Sequence, residues 1–358
     1  MTIVEATRDV ERWVERHVPV VRDQLTTKHQ KMEQDPIQFL RGTFYRWAQL
    51  WPTVGGDLAK SPTVLAVGDL HIASFGTWRD VFGRLVWGVD DFDEAYPMPY
   101  ASDLVRLATS AVLDADEANV RVAPRCICDA ILEGYLEGLK SGGRPYVLEE
   151  GHKWLRSIAL NHLDDPPQFW KKLDELAGVK KKAPLAVLRA ITKMLPDPQV
   201  PLRIVRRTAG IGSLGHPRYV AIADWRGGQV ALEAKAALPS AYVWARSVPN
   251  KGILYQQILS CASRCPDPFV QLEKSWLIRR LAPDSSPIDL ESLARHKDQE
   301  RLLTAMGRET ANVHLGTRSA HKTVLADLRK RRAAWLESAA IVMRKTIRSE
   351  WKEWKRRK

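Results

Sequence analysis

Two short apolar runs, residues 63–67 and Leu85–Val89, each end in an acidic motif, and no other pairing in the chain constrains its fold as tightly. Short apolar runs bounded by turn residues read as buried strands. The first continues into Gly68-Asp69-Leu70-His71 and reaches Ser74; the second continues into Asp90-Asp91-Phe92-Asp93. A strand that ends in an acid presents its carboxylate from a rigid element to the rim of a cleft. Two of them, about twenty residues apart, predict one site with acids contributed from both. Taken alone, Asp69 and His71 read equally well as turn residues, and Asp90, Asp91 and Asp93 as an acidic turn without a metal.

The chain has 358 residues, 45% of them hydrophobic, which is enough for a large core divided between two lobes and unlike a disordered chain. No apolar run approaches the roughly 18 residues of a membrane span. Residues 1–15 are mixed in charge and lack the apolar centre of a secretion signal, so a cytoplasmic location is expected. Cys126 and Cys128, and Cys261 and Cys265, lack the spacing of a zinc knuckle and read as buried free thiols in a reducing compartment.

The net charge of +13 is unevenly placed. Residues 318–358 hold 14 Lys/Arg and 4 Asp/Glu, a net of +10, so the rest of the chain carries only +3. Leu325, Leu328, Trp335, Ala339, Val342, Met343 and Trp354 recur there at roughly helical spacing. The pattern predicts one long amphipathic helix with a solvated basic face, with RNA or an anionic membrane surface as the alternative use of that face.

Residues 1–50 read as helical, with Val10, Trp13 and Val14 on one stripe and Phe39, Phe44 and Trp47 on another. Residues 101–193 are helical in segments broken by Pro124, Gly142-Gly143 and Pro166-Pro167, and the proline-rich stretch 195–201 is a stiff linker. Periodicity then changes. Residues 202–207, 218–223 and 230–236 alternate or run apolar between glycine turns, as an antiparallel sheet does. Residues 251–263 return to helix, 275–281 form another strand, and 288–315 are helical. The boundaries are therefore 1–201 for a helical lobe with both acidic loops, 202–285 for a small β-rich lobe, and 286–358 for the return to helix.

The β-rich segment contains Gly210-Ile211-Gly212-Ser213-Leu214-Gly215. A lone glycine motif is a weak signal, and by itself this one reads as a hairpin. A strand precedes it and another follows, so it is not the strand-to-helix turn of a dinucleotide fold. Strand, glycine loop, strand is the arrangement that lets backbone N–H groups approach phosphates. Lys235 lies on the next strand, twenty residues beyond Gly215, where an ammonium group can pair with nucleotide phosphates. Glu233 shares its face, while Tyr255, Gln256 and Gln257 supply no acidic partner from the following helix.

Together these motifs resemble the parts of kinase-like phosphotransferases, with the acids ahead of the glycine loop instead of behind it. Residues 302–315 resemble the helix that precedes the catalytic loop there, so the order fits a circular permutation. The chain also resembles the bacterial family called domain of unknown function 2252, through Phe39-Leu40-Arg41-Gly42, Gly68-Asp69-Leu70-His71 with Phe75-Gly76, Asp91-Phe92-Asp93, Asp103-Leu104-Val105-Arg106-Leu107, and the glycine loop with Lys235.

The resemblance implies an α+β, two-lobed, permuted kinase-like fold. It implies Asp69 with His71 as catalytic residues and Asp91 with Asp93 as magnesium ligands. Gly210, Gly212, Ser213, Gly215 and Lys235 would bind ATP, and Asp103 and Arg41 would give structural support. Ser74 stands where the relatives carry Asn as a further metal ligand, and a hydroxyl ligates magnesium less strongly than an amide carbonyl. The expected activity is ATP- and magnesium-dependent phosphoryl transfer to a small hydroxyl compound. A nucleotide-binding pseudokinase or nucleotidyl transferase, and a non-catalytic RNA-binding protein, are the alternatives.

Overall fold

A computed structural model describes residues 1–118, 122–149, 151–179, 183–288 and 296–357. Helix α1 (Ile3–Glu15) begins where Thr2 and Glu5 each bond the other's backbone N–H, the reciprocal cap expected of a Thr-x-x-Glu start. Helices α2 (Arg22–Gln34) and α3 (Pro36–Gly42) meet at Asp35. Its carboxylate accepts from Gln38 N at 2.7 Å while Pro36 supplies the helical φ. Helix α4 (Phe44–Val54) follows.

The two apolar runs are strands β1 (Thr63–Ala66) and β3 (Leu85–Val89), in different sheets. Strand β1 pairs antiparallel with β4 (Tyr96–Pro99), and β3 with β2 (Phe75–Arg79). Neither partner was expected from the hydrophobic pattern, because Gly76, Pro97 and Pro99 interrupt it. Strand β5 (Tyr146–Val147) extends the second sheet beside β3.

Helix α5 (Tyr100–Glu117) is buried over nearly its whole length. Helix α6 (Pro124–Ser141) starts on a proline and stops at Gly142, whose φ of 76° suits glycine. Helices α7 (Lys153–His162), α8 (Pro166–Asp174) and α9 (Leu185–Thr192) complete this part.

Strands β6 (Arg203–Val205), β7 (Arg218–Trp225), β8 (Gly228–Ala236), β9 (Val270–Glu273) and β10 (Trp276–Leu281) form one antiparallel sheet in the order β6-β7-β8-β10-β9. The residue alternation along these strands gives the sheet two apolar faces. Val187 and Ile191 of α9 pack on Ala221, Leu232 and Ile278, and Leu173 of α8 packs against Val205, Ile222 and Leu281 on the other face. Two short helices, α10 (Ala241–Arg246) and α11 (Tyr255–Cys261), lie between β8 and β9 and join the main core through Ala241, Tyr255 and Ile258.

Helix α12 (His296–His314) lies against α6 at close range, because Gly134 and Gly307 sit where a Cβ would run into the partner's backbone. Helices α13 (His321–Lys330) and α14 (Trp335–Lys355) end the chain, with α14 packed on α5. The fold is mixed α+β with small antiparallel sheets. Among the described residues no helix is long and apolar enough to cross a membrane.

Four expectations need correction. The basic C-terminal segment is two helices, broken around Ala334 at φ 61°, and Val342 points to solvent at 48% exposure. The helix expected over 251–263 covers only Tyr255–Cys261, since Pro249 and Gly252 sit before it and Pro266 after it. The helix expected over 288–315 is described from His296 on and Ile288 itself is not helical; residues 289–295 lie outside the described residues. All four cysteines are free thiols, but only Cys128 is buried, because Cys126 and Cys261 fall on outward helical positions.

Candidate active site

The first acidic loop is held from α5. Asp103, in its first turn, is completely buried and accepts from Val67 N at 2.7 Å, Gly68 N at 3.0 Å and His314 Nε2 of α12 at 3.0 Å. Gly68 has φ 85°, and a Cβ there would collide with the Glu94 carbonyl, so only glycine lets the chain leave β1 along this path. Two backbone donors and a histidine thus converge on one buried carboxylate.

One helical turn on, Arg106 is fully buried and donates from Nε to Asp69 Oδ1 at 2.9 Å and from Nη2 to the same oxygen. Its Nη2 also reaches Leu40 O at 2.8 Å, and its guanidinium lies over Phe44 and Trp47. Burial raises the Asp69 carboxyl above its ordinary range, against the pull of Arg106. His71 is pushed well below its ordinary range by burial, then by Arg41 and Arg106, so its ring is neutral; its Nδ1 has no partner.

Ser74 is 1% exposed. Its hydroxyl donates to Asp69 O at 3.2 Å and accepts from His71 N at 3.1 Å, so it closes the loop on itself instead of facing the cavity. Ile72 N is tied to Ser110 Oγ of α5 at 3.1 Å.

The second acidic loop leaves β3 and is linked to the first by Asp90 N donating to Ser74 O at 3.0 Å. Phe92 anchors it in the core, edge-on to Tyr255, whose hydroxyl donates to Asp90 O at 3.2 Å. Lys235 of β8, only 4% exposed, places its ammonium against Asp93 and 3.9 Å from Asp91. That is the acidic partner which the following helix does not supply. Glu233, two residues earlier, is instead wholly buried among Arg207, Arg218 and Arg279 at 2.8–2.9 Å.

Asp91 is a cleft-wall group whose side chain is 55% exposed. Burial opposes its charge, but Lys235 and Arg279 outweigh that and hold its carboxyl below the ordinary range. Asp93 is raised by burial and by Asp91, against Lys235. Asp90 is pushed up to about 6, chiefly by burial.

The glycine loop comes down from the sheet onto these acids. A Cβ at Gly212 would stand 3.5 Å from Asp69 Oδ2 and from Arg41 O. Helix α2 and the residue before it hold the loop from outside: Lys28 Nζ donates to Gly212 O at 3.2 Å, and Val21 N donates to Gly215 O at 2.9 Å. Arg218 Nη2 donates to Ser213 Oγ at 2.8 Å.

A cavity of about 450 Å3 results, bordered by Asp69, His71, Asp91, Asp93, Arg41, and Gly210, Gly212 and Ser213. Lys235 reaches it through its pair with Asp93; Gly215, Ser74 and Asp103 lie behind the wall. A second cavity of about 300 Å3 adjoins it and shares Arg41, His71 and Ala73.

The residues that the sequence reading passed over as site groups are Arg106, Glu94 and Lys28. Arg106 has a sequence signal in its position three residues beyond Asp103, on the same helical face. Glu94 borders the cavity, accepts from Ser240 Oγ at 2.8 Å and Ala241 N at 2.7 Å, and is raised to about 8 by burial. Lys28 had no sequence signal, since its contact spans 184 residues.

Magnesium fits the donors present. Among the described residues no cluster of three or more His, Cys, Asp or Glu could hold a metal by itself. Magnesium needs no such cage, because it keeps several waters and takes one or two carboxylates plus phosphate oxygens. Asp91 is open to the cleft, and the buried Asp93 Oδ1 has no hydrogen-bond partner.

The sequence pattern of one protein family matches residues 20–182 and 202–357, its description being an uncharacterized protein conserved in bacteria, DUF2252. The chain belongs to this family. The unmatched interval between the two segments holds α9 and the proline-rich stretch after it, so the family pattern omits one face of the five-stranded sheet's packing. No curated protein and no solved structure matches the chain.

Proposed function

We propose that the cavity binds ATP with magnesium and transfers the terminal phosphoryl group to a hydroxyl of a small molecule, in a circularly permuted relative of the kinase-like fold. The observation that carries this reading is convergence. Asp69, Asp91 with Asp93, and the loop Gly210–Ser213 come from separate stretches and border one 450 Å3 space, to which Lys235 is joined through its pair with Asp93. That volume is in the range of small-molecule sites, about 300–1,000 Å3. The permutation has support of its own. The chain leaving α12 passes beside β1, where Thr317 Oγ1 accepts from Leu65 N at 2.8 Å and His314 meets the same Asp103 that holds Gly68. A chain cut between these neighbours and rejoined elsewhere gives the observed order.

In this reading each residue has a task. Arg106 occupies Asp69 Oδ1 and leaves Oδ2 on the glycine-loop side, oriented to take the proton of an acceptor hydroxyl. Burial, by raising Asp69, makes it a stronger base than a surface aspartate. The acceptor oxygen bonds to the γ-phosphorus, the bond from that phosphorus to the β–γ bridging oxygen breaks, and ADP leaves with the electron pair. Lys235 and the loop N–H groups hold the phosphates in line. Asp91 and Asp93 would hold magnesium, which supplies charge neutralisation on the phosphates when bound.

The test uses purified protein and Mg-ATP. Mg-ATP should raise the thermal midpoint, and Asp91→Ala should remove the magnesium-dependent part of that shift. Asp69→Asn should keep the shift and lose ADP formation with any acceptor that wild type uses. Binding without turnover over a broad acceptor panel selects the pseudokinase reading, and pyrophosphate in place of ADP selects nucleotidyl transfer. Absence of any nucleotide-dependent shift overturns the proposal.

A further inference from the structure

The positive charge at the end of the chain has no use in the cleft; Arg344, Arg348 and Arg357 pair with Asp116, Glu117 and Glu33, and the fold leaves much of the rest exposed. Three of the four acids in residues 318–358 are already engaged: Asp327 with Arg331, Glu337 with Arg125, and Glu350 with Arg46. Among the described residues Arg329, Lys330 and Arg332, at the turn between α13 and α14, are exposed and have no acidic partner. The same holds for Lys345, Lys352 and Arg356 along α14.

The second group is seven and then four residues apart, which puts it on one helical face. It extends for roughly 16 Å at the rise of an α-helix. Met343, Ile347 and Trp354 point the other way, into the core. Lys355 is exposed next to this row, its ammonium 4.5 Å from the Trp351 ring. The result is a rigid row of ammonium and guanidinium groups on a helix whose apolar side is fully used.

We propose that this row, with the cations of the α13–α14 turn, docks the phosphodiester backbone of a nucleic acid without reading its sequence. A polyanion of closely spaced charges is the complement of such a row, since each phosphate contact releases condensed counterions. A lipid surface is the weaker match. Membrane-bound amphipathic helices turn large apolar side chains outward, and Val342 is the only exposed large hydrophobic residue among the described residues of this segment. The proposal is independent of the activity assigned to the cleft.

The test is fluorescence anisotropy of a labelled mixed-sequence duplex of about 20 base pairs with the full-length protein. Binding in the micromolar range at about 50 mM salt is expected, with log K falling linearly against log salt. The triple variant Lys345→Gln, Lys352→Gln, Arg356→Gln should lose about ten-fold in affinity and flatten the salt slope by about 2 to 3. Lys171→Gln with Lys172→Gln, exposed lysines on α8, should change neither. An unchanged thermal midpoint shows that the triple variant is folded. No binding at low salt overturns the proposal, as does binding that the triple variant leaves intact. Co-sedimentation with phosphatidylcholine vesicles containing about 30% phosphatidylserine, without duplex binding, overturns it in favour of a membrane surface.

Discussion

The two acidic loops reach the same cavity by opposite constructions. The Asp69 loop is held by one nearby helix: Asp103, Arg106 and Ser110 sit at successive turns of α5 and grip Val67, Gly68, Asp69 and Ile72. Its charge is balanced within the same part of the fold. The Asp91–Asp93 loop is anchored by Phe92, yet its charge is balanced by Lys235 from the five-stranded sheet, 142 residues away. The hydrogen bonds described for the first loop involve no group of the five-stranded sheet. The second has a counter-ion only while the sheet is in place, so its electrostatics report on how the two parts sit together.

The largest effect should come from breaking the rigid loop. Asp103→Ala leaves Val67 N–H, Gly68 N–H and His314 without their shared acceptor and should cost about 3–5 kcal/mol in urea unfolding. A cost under about 1 kcal/mol would mean that the loop does not depend on α5. Next, Lys235→Met should destabilise by about 2–3 kcal/mol at pH 8, since Asp93 then loses its ion-pair partner beside a second carboxylate. The loss should shrink as pH falls, because Asp93, already raised by burial and Asp91, takes up its proton before an ordinary aspartate does. A loss independent of pH would assign Lys235 a packing role only.

Glu94 lies where the loops touch. Its folded value near 8 is above its ordinary 4.5, so the native state binds the proton more tightly than the unfolded chain. Stability from this group is full below about pH 4.5 and declines as pH rises toward 8. Glu94→Gln keeps an oxygen for Ser240 and Ala241 and removes the titration. Its unfolding free energy should match wild type at pH 4.5 and exceed it at pH 9 by about 1–2 kcal/mol after allowing for solvent at the cleft wall, read by urea unfolding at each pH. Equal curves at every pH would contradict the buried, raised carboxyl. The smallest effect belongs to Ser74→Ala, about 1 kcal/mol in stability from two lost loop bonds. If stability is unchanged and only magnesium-dependent nucleotide binding weakens, Ser74 acts on the metal and not on the loop.

The comparison also separates what the sequence could show from what it could not. The strands β1, β3, β7, β8 and β10 were legible because buried strands are short apolar or alternating runs. Strands β2 and β4 were not, since Gly76, Pro97 and Pro99 erase the pattern that pairing restores. The acids and glycines of the cavity could be named because each sits at the end of an element. Lys235 was found on its strand, but its partner Asp93 was not, because an ion pair across 142 residues leaves no trace in local spacing. The family resemblance puts Ser74 at a metal-ligand position. In the fold its hydroxyl closes the loop, and hydrogen bonds of that kind follow from backbone path and not from residue type.

The pair between Lys235 and Asp93 has a consequence for how the protein is made. During synthesis Asp91 and Asp93 emerge long before the lysine that balances them, and so does the α2 segment that later grips Gly212 and Gly215. Closing segments this long is entropically costly, about (3/2)RT ln n, and is repaid only when the distant parts dock. The α5 network lies within the first part of the chain except for His314, so the Asp69 loop takes shape early and is locked only when α12 arrives. A nascent chain halted before β8 would hold one finished acidic wall and one that still lacks its cation.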